Sequence, residues 1–326
     1  ADEKAFFRDA DPFGFTIFAR NIDNPDQVRA LTDSLRDLLG RDVPVFIDQE
    51  GGRVQRCKPP VWRAAPAAAR FGALWDREPE LALAAVRLNH RLLGAELIKL
   101  GVDVDYAPCA DLSVPGAHDV IGDRAFHSDP AAVAALAGAA LEGLLDQGVL
   151  GVIKHLPGHG RAGADSHHEL PVVKTERGVL EETDFAAFAG VSGALMAMTA
   201  HVVYADIDAE EPATTSADVI ASVIRGFIGF DGLLMSDDLS MKALRGDLRT
   251  RGERAVKAGC DLLMHCNGDL TEMIEVAHAA PALDGRAAER AEAALAARRA
   301  PGELEVSDAI ERLDALFTGA GLEPVS

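Results

Sequence analysis

The sequence predicts an α/β fold, a single (β/α)8 barrel of TIM type over 1–326, with its first strand expected ahead of Ala1. Three observations predict it. Short apolar runs alternate with helical patterns, which argues for a parallel sheet wrapped by helices. No Gly-rich phosphate-binding turn follows the first run, which favours a barrel over a doubly wound dinucleotide fold. Finally, each apolar run gives way to a polar cluster at its C-terminal end, and in a parallel barrel those ends share one face.

Taken in order, ADEKAFFRDADP before Phe13 reads as a helix and its exit turn. Seven strand-like runs follow: GFTIFARN (14–21), VPVFIDQE (43–50), DVDYAPCADL (103–112), VLGVIKHLPG (149–158), ALMAMTAHVVY (194–204), GLLMSDDL (232–239) and DLLMHCN (261–267). An eighth is needed to close the barrel, hence the strand expected ahead of Ala1. Helical patterns span 26–39, 78–100, 130–147, 180–191 and 217–226, and the Ala/Arg/Glu-rich tail 286–299 is helical by propensity. One barrel takes about 250 residues and tolerates insertions, and no repeat or low-complexity linker divides the chain.

Hydrophobic residues at 48% and charged residues at 26% predict a large buried core. A net charge of −20 argues against nucleic-acid and anionic-membrane partners. Cys57, Cys109, Cys260 and Cys266 are scattered without a CxxC pair, which suits a reducing cytoplasm. No apolar run approaches the roughly 18 residues of a membrane span, and no signal-peptide pattern opens the chain. The expected location is therefore cytoplasmic.

The stretch KHLPGHGRAGADSHH (154–168) holds four of the ten histidines. As metal ligands, His155, His159, His167 and His168 lack HExxH spacing, and no geometry is selected; no metal is expected. The catalytic reading rests on Asp165 and His167. Two residues apart in an extended loop, they can face the same way, and a carboxylate beside an imidazole makes an acid that works near neutral pH. A solvated loop with a turn-forming Asp is the alternative, which the triplet alone does not exclude.

Asp237 ends the apolar run GLLMS, either free or capping the next helix; Asp238 is able to take the cap instead. A carboxylate nucleophile with a separate proton donor is the equipment of retaining glycoside cleavage. In DQEGGRVQR (48–56), Asp48 can accept two sugar hydroxyls, Gly51 and Gly52 allow close backbone approach, and Arg53 and Arg56 can bind ligand oxygens. A salt-bridged strand-end turn is the competing reading there. Arg124, in VIGDRAFH, and the Lys154-His155 pair add donors at the same face. With only two tryptophans and two tyrosines, a short pocket acting on a chain end fits better than a long cleft of stacked sugar rings.

Together KHLPGHG with its following DSH, DQEGGRVQR, VIGDRAFH and MSDDLSM resemble the NagZ-type β-N-acetylhexosaminidases of glycoside hydrolase family 3, from FARN at 18–21 to CN at 266–267. The resemblance implies a barrel without metal or cofactor that releases terminal N-acetylglucosamine with retention. It makes Asp237 the nucleophile, His167 the acid/base and Asp165 its dyad partner. Asp48, Arg56, Arg124, Lys154 and His155 form the implied sugar-binding set, with His201 lining the pocket. Leu156 stands where the family commonly has Phe. The implied substrate is a small muropeptide or disaccharide, N-acetylglucosamine on 1,6-anhydro-N-acetylmuramic acid with or without a stem peptide, met in cytoplasmic cell-wall recycling. A phosphorylase of the same fold, a non-catalytic amino-sugar-binding protein and a metal-dependent hydrolase are the alternatives.

Overall fold

A computed structural model of the protein describes residues 2–166 and 169–325. Its strands are β1 (Phe15–Thr16), β2 (Val45–Ile47), β3 (Gln49–Gly51), β4 (Val54–Gln55), β5 (Val104–Asp105), β6 (Leu150–Leu156), β7 (Val172–Val173), β8 (Met196–Thr199), β9 (Val203–Tyr204), β10 (Leu233–Asp238) and β11 (Leu262–Met264). All seven apolar runs contain a strand of the parallel sheet. The eighth strand, expected ahead of Ala1, falls outside the described residues. The structure divides into two compact units, Ala1–Pro108 with Leu136–Val152 and Arg298–Ser326, and Cys109–Ala135 with Ile153–Ala297.

In the first unit the strand order is β1–β2–β5–β6, parallel, with Phe46 against Val104 and Asp105 against Gly151 in register. Ile17, Val45 and Ile47 are buried with Val28, Leu93, Leu97 and Leu144 from the helices Pro25–Leu39, Pro79–Lys99 and Pro130–Leu145. Each large side chain so buried contributes about 1.5–3 kcal/mol. The first of these helices begins where the Asn24 side chain accepts from the Gln27 amide at 3.0 Å, and it ends at Gly40 in the left-handed conformation. Buried Asp103 accepts from the Val45 amide at 2.6 Å and pairs with Arg298 at 2.9 Å and Arg36 at 3.3 Å, so its charge is compensated.

In the second unit the order is β6–β8–β10–β11, again parallel; Leu233–Met235 of β10 register with Met196–Met198 of β8. Against β11, Met235 pairs with Leu262 but Asp238 with Met264, an extra residue on β10 that marks a bulge. There the Ser236 hydroxyl accepts from the Met264 amide at 3.0 Å. Bulges re-aim side chains, and this one falls on Ser236–Asp237.

Two expected helices differ. The 180–191 pattern forms two short helices, Arg177–Glu182 and Asp184–Ala189. Between them the Thr183 hydroxyl donates to the Val179 carbonyl at 2.6 Å and Thr183 leaves helical geometry, a side-chain bond competing with the helix. The 217–226 pattern is one α-turn, Ala217–Val219, running into a π-helical stretch, Ile220–Phe227. Helices at Ala68–Trp75, Leu248–Ala258, Leu270–Ala279 and Val306–Gly319 went unpredicted.

Candidate active site

The first unit carries Asp48 directly after β2 and Arg56 directly after β4. Arg56 Nη2 donates to Asp48 Oδ2 at 2.8 Å, and the guanidinium lies 5.2 Å from the centre of the Phe18 ring. Buried Gln49 sets this geometry. Its Oε1 accepts from the Arg56 and Cys57 amides at 2.9 and 3.0 Å, while its Nε2 donates to the Cys57 carbonyl. Gly51 and Gly52 both have positive φ, and a Cβ on Gly51 would meet the Pro66 carbonyl at 2.5 Å. The tight turn therefore demands glycine.

The second unit carries the remaining described candidates. Lys154 and His155 are buried in β6, Arg124 closes the 3-10 turn Gly122–Arg124, Asp165 lies in the loop after β6, His201 follows β8, and Asp237 sits at the β10 bulge. His167 lies outside the described residues, so the Asp165–His167 pairing is not part of this geometry.

Asp111, which ends the DVDYAPCADL run, organises the end of β6. It is wholly buried. Its Oδ2 accepts from His155 Nδ1 at 2.7 Å and from the Cys109 thiol at 3.2 Å, and its Oδ1 accepts from the His159 amide at 2.6 Å. Burial pushes its pKa up, but His155 and His159 outweigh that and hold it well below the usual range. The Asp111 bond to Nδ1 fixes the His155 ring, as a carboxylate behind an imidazole does. Cys109, Asp111 and His155 offer donor atoms within 4.8 Å of one another. A cation there would have to displace the thiol and imidazole protons that already bind Asp111, so the cluster reads as a hydrogen-bonded support for β6.

The loop beyond β6 is anchored as well. Tyr204 donates to the Gly158 carbonyl at 2.5 Å, and Arg161 donates to Asp184 at 2.5 Å and to the Thr183 hydroxyl at 3.0 Å. His159 Nε2 lies 3.1 Å from the hydroxyl of Ser166, between Asp165 and His167 in sequence. Burial, reinforced by His155, lowers the His159 pKa to about 4, so the ring is neutral at pH 7.

Two adjacent carboxylates end β10. Asp238 is anchored: its Oδ1 accepts from the Ser240 and Cys266 amides at 3.0 and 3.1 Å, and its Oδ2 from the Ser240 hydroxyl at 2.6 Å. Asp237 is half-buried, and its Oδ1 accepts from the Asp238 amide at 2.7 Å. Burial raises its pKa, yet His201, His155, the Asp238 amide and Lys154 together hold it below the ordinary carboxylate value. His201 is buried, with Nδ1 2.7 Å from the Thr214 hydroxyl and Nε2 3.0 Å from the Asp238 carbonyl. An ionised carboxylate kept among histidines and a lysine is a group able to attack an electrophilic carbon.

Residues 3–298 match the glycosyl hydrolase family 3 N-terminal domain. The chain belongs to glycoside hydrolase family 3. It is a glycoside hydrolase by this membership and by its relatives. It is 40% identical over 259 residues to a beta-hexosaminidase of Bordetella avium, covering 78% of this chain and 73% of that one. With a beta-hexosaminidase of Alkalilimnicola ehrlichii it shares 43% identity over 258 residues, again 78% and 73% of the two chains. Among solved structures it resembles NagZ from Neisseria gonorrhoeae in complex with N-trifluoroacetyl-D-glucosamine, at 33% identity and a TM-score of 0.84, over 99% of this chain and 94% of that one. The fold class expected from the sequence, an α/β barrel of TIM type, is the one this likeness shows.

Within this family 3 chain, Asp111 stands in the polar end of the run DVDYAPCADL, and no role was expected of it or of Gln49, Tyr204 or Thr214. Position after an apolar run was the available signal for Asp111 and, in VPVFIDQE, for Gln49 as well. Nothing in the sequence signals Tyr204 or Thr214.

Proposed function

We propose that the chain is a retaining exo-β-N-acetylglucosaminidase that releases terminal N-acetylglucosamine from peptidoglycan fragments, acting as one barrel domain in the cytoplasm. The substrate proposed is N-acetylglucosamine linked to 1,6-anhydro-N-acetylmuramic acid, with or without a stem peptide. Asp237 carries the reading. It is an ionised carboxylate at a β10 bulge, with an anchored neighbour and a set of histidines and a lysine that keep its charge. The names of the curated relatives and the sugar ligand of gonococcal NagZ support the amino-sugar specificity.

In the proposed reaction Asp237 attacks the anomeric carbon while His167 protonates the departing oxygen, breaking the glycosidic bond and leaving a glycosyl ester on Asp237. His167, now neutral, takes a proton from water, whose oxygen attacks the same carbon and restores the carboxylate. Asp165 steadies the His167 imidazolium. Asp48, Arg56, Arg124, Lys154 and His155 hold the sugar. No metal or cofactor is assigned a step.

The test is product analysis. The protein is incubated with a chromogenic β-N-acetylglucosaminide, with and without phosphate, and the released sugar is weighed by mass spectrometry. Free N-acetylglucosamine in both buffers is expected. N-acetylglucosamine 1-phosphate in the phosphate buffer would make it a phosphorylase, and no product in either would leave a sugar-binding protein. For the acid role, His167→Ala loses less rate on substrates with good leaving groups than on poor ones, because good leaving groups need little protonation. An equal loss on both removes that role.

A further inference from the structure

His201 is buried, and both of its ring nitrogens are engaged within the protein. A carbonyl oxygen only accepts, so the 3.0 Å contact with Asp238 O requires the proton on Nε2. The Thr214 hydroxyl has two acceptors in reach, His201 Nδ1 at 2.7 Å and the Ala200 carbonyl at 3.2 Å; its proton goes to the closer Nδ1, and Thr214 in turn accepts from the Thr199 hydroxyl at 2.8 Å. The chain is complete for a neutral ring: Thr199 to Thr214 to His201 to the β10 backbone. Neither nitrogen is left for a sugar hydroxyl. The Asp238 carbonyl so held lies one peptide beyond the amide that donates to Asp237.

We propose that His201 is a positioning residue: its neutral ring, oriented by Thr199 and Thr214, holds the end of β10 in the conformation that presents Asp237, and it does not bind the sugar. This replaces the pocket-lining role implied by resemblance, and it rests on Asp237 being the nucleophile. Asp237 and Asp238 of β10 and His155 of β6 are the charged and titratable groups that bear on the ring. Burial outweighs the two carboxylates and lowers its pKa. The ring nitrogens contact a hydroxyl and a carbonyl, and among the described residues no carboxylate accepts directly from them, so an imidazolium there has no ion-paired hydrogen bond.

The experiment compares His201→Gln with His201→Leu, because a Gln amide can still donate to the Asp238 carbonyl whereas Leu cannot. We expect His201→Gln to keep kcat within about fivefold and His201→Leu to lose roughly a hundredfold, the size of a misplacement effect. In both, KM and the inhibition constant of free N-acetylglucosamine stay within about twofold. A tenfold weaker inhibition constant in His201→Gln means the ring contacts sugar and overturns the proposal. So does a His201→Gln enzyme as slow as His201→Leu.

Should His201→Leu fail to fold, nitrogen-15 NMR of the wild-type protein decides. A neutral Nε2–H ring at pH 7 is expected, and an imidazolium or an Nδ1–H ring refutes the assignment. The NMR result and the inhibition constants do not depend on which carboxylate attacks. A fully active Asp237→Ala enzyme would therefore defeat the proposed function without deciding the state of His201.

Discussion

Two carboxylates, Asp111 against the end of β6 and Asp237 at the end of β10, are both held below their ordinary pKa, in different hydrogen-bonding surroundings. Asp111, behind β6, is wholly buried and has both oxygens engaged by backbone amides, a thiol and an imidazole. Asp237, on β10, is half-buried and accepts from the Asp238 amide, with His201, His155 and Lys154 beside it. A carboxylate saturated by hydrogen bonds is a support. One that accepts a single backbone bond among the described residues keeps lone pairs for chemistry. The same charge state thus marks two different uses.

The largest effect separates these uses. Asp237→Ala is expected to reduce kcat on the order of 10⁴-fold or more, in the range of lost nucleophiles, while leaving the fold intact. Circular dichroism and the thermal midpoint check the fold beside the rate assay. Wild-type-like turnover in a folded Asp237→Ala protein would sink the assignment. Asp111→Ala should behave the other way, costing about 3–5 kcal/mol of stability because its partners lose a buried charge. Urea unfolding reads that loss. If it stays below about 1 kcal/mol, the scale of one ordinary hydrogen bond, Asp111 is not the support described.

Protonation sharpens the contrast. His159 is buried and neutral, with its pKa lowered from 6.5 to about 4. Between those values the unfolded chain binds the proton and the folded chain does not, so the wild type loses stability as pH falls from about 6.5 to about 4. At full extent the loss is roughly 3 kcal/mol. His159→Gln has no such proton to bind. Whatever its deficit at pH 7, the stability gap to wild type should narrow as pH falls through that window. A constant gap would mean that His159 titrates alike in both states.

How much of this was legible beforehand follows from the kind of signal each part leaves. The seven parallel strands were legible because buried strands read as apolar runs, and the polar residues at their ends marked Asp48, Lys154, His155 and Asp237. Helices Leu248–Ala258 and Val306–Gly319 were not expected; the first buries only Gly252, Ala255 and Ala258, small side chains that leave little apolar stripe to read. The break at Thr183 and the β10 bulge depend on side-chain to backbone bonds that periodicity does not encode. Gln49 and Thr214 act through bonds to groups placed by folding, Thr214 to His201 thirteen residues away. Residue type alone does not distinguish them from other buried polar groups.

The smallest effect tests adjacent residues. Asp238 accepts from two amides and one hydroxyl, and an Asn of the same shape can keep the amides on its oxygen while its Nδ2 meets the Ser240 oxygen. Asp238→Asn should therefore cost only about 1 kcal/mol, the difference between a charged and a neutral acceptor. Its kcat should fall by no more than about tenfold, since the backbone that presents Asp237 stays in place. Asp237→Asn makes the identical chemical change one residue earlier. It should leave stability nearly untouched and remove turnover, because an amide is no nucleophile at the anomeric carbon. Similar losses of activity in the two variants would show that the end of β10 works through the charge of the pair, and that the distinction between an anchored and a reactive aspartate is wrong.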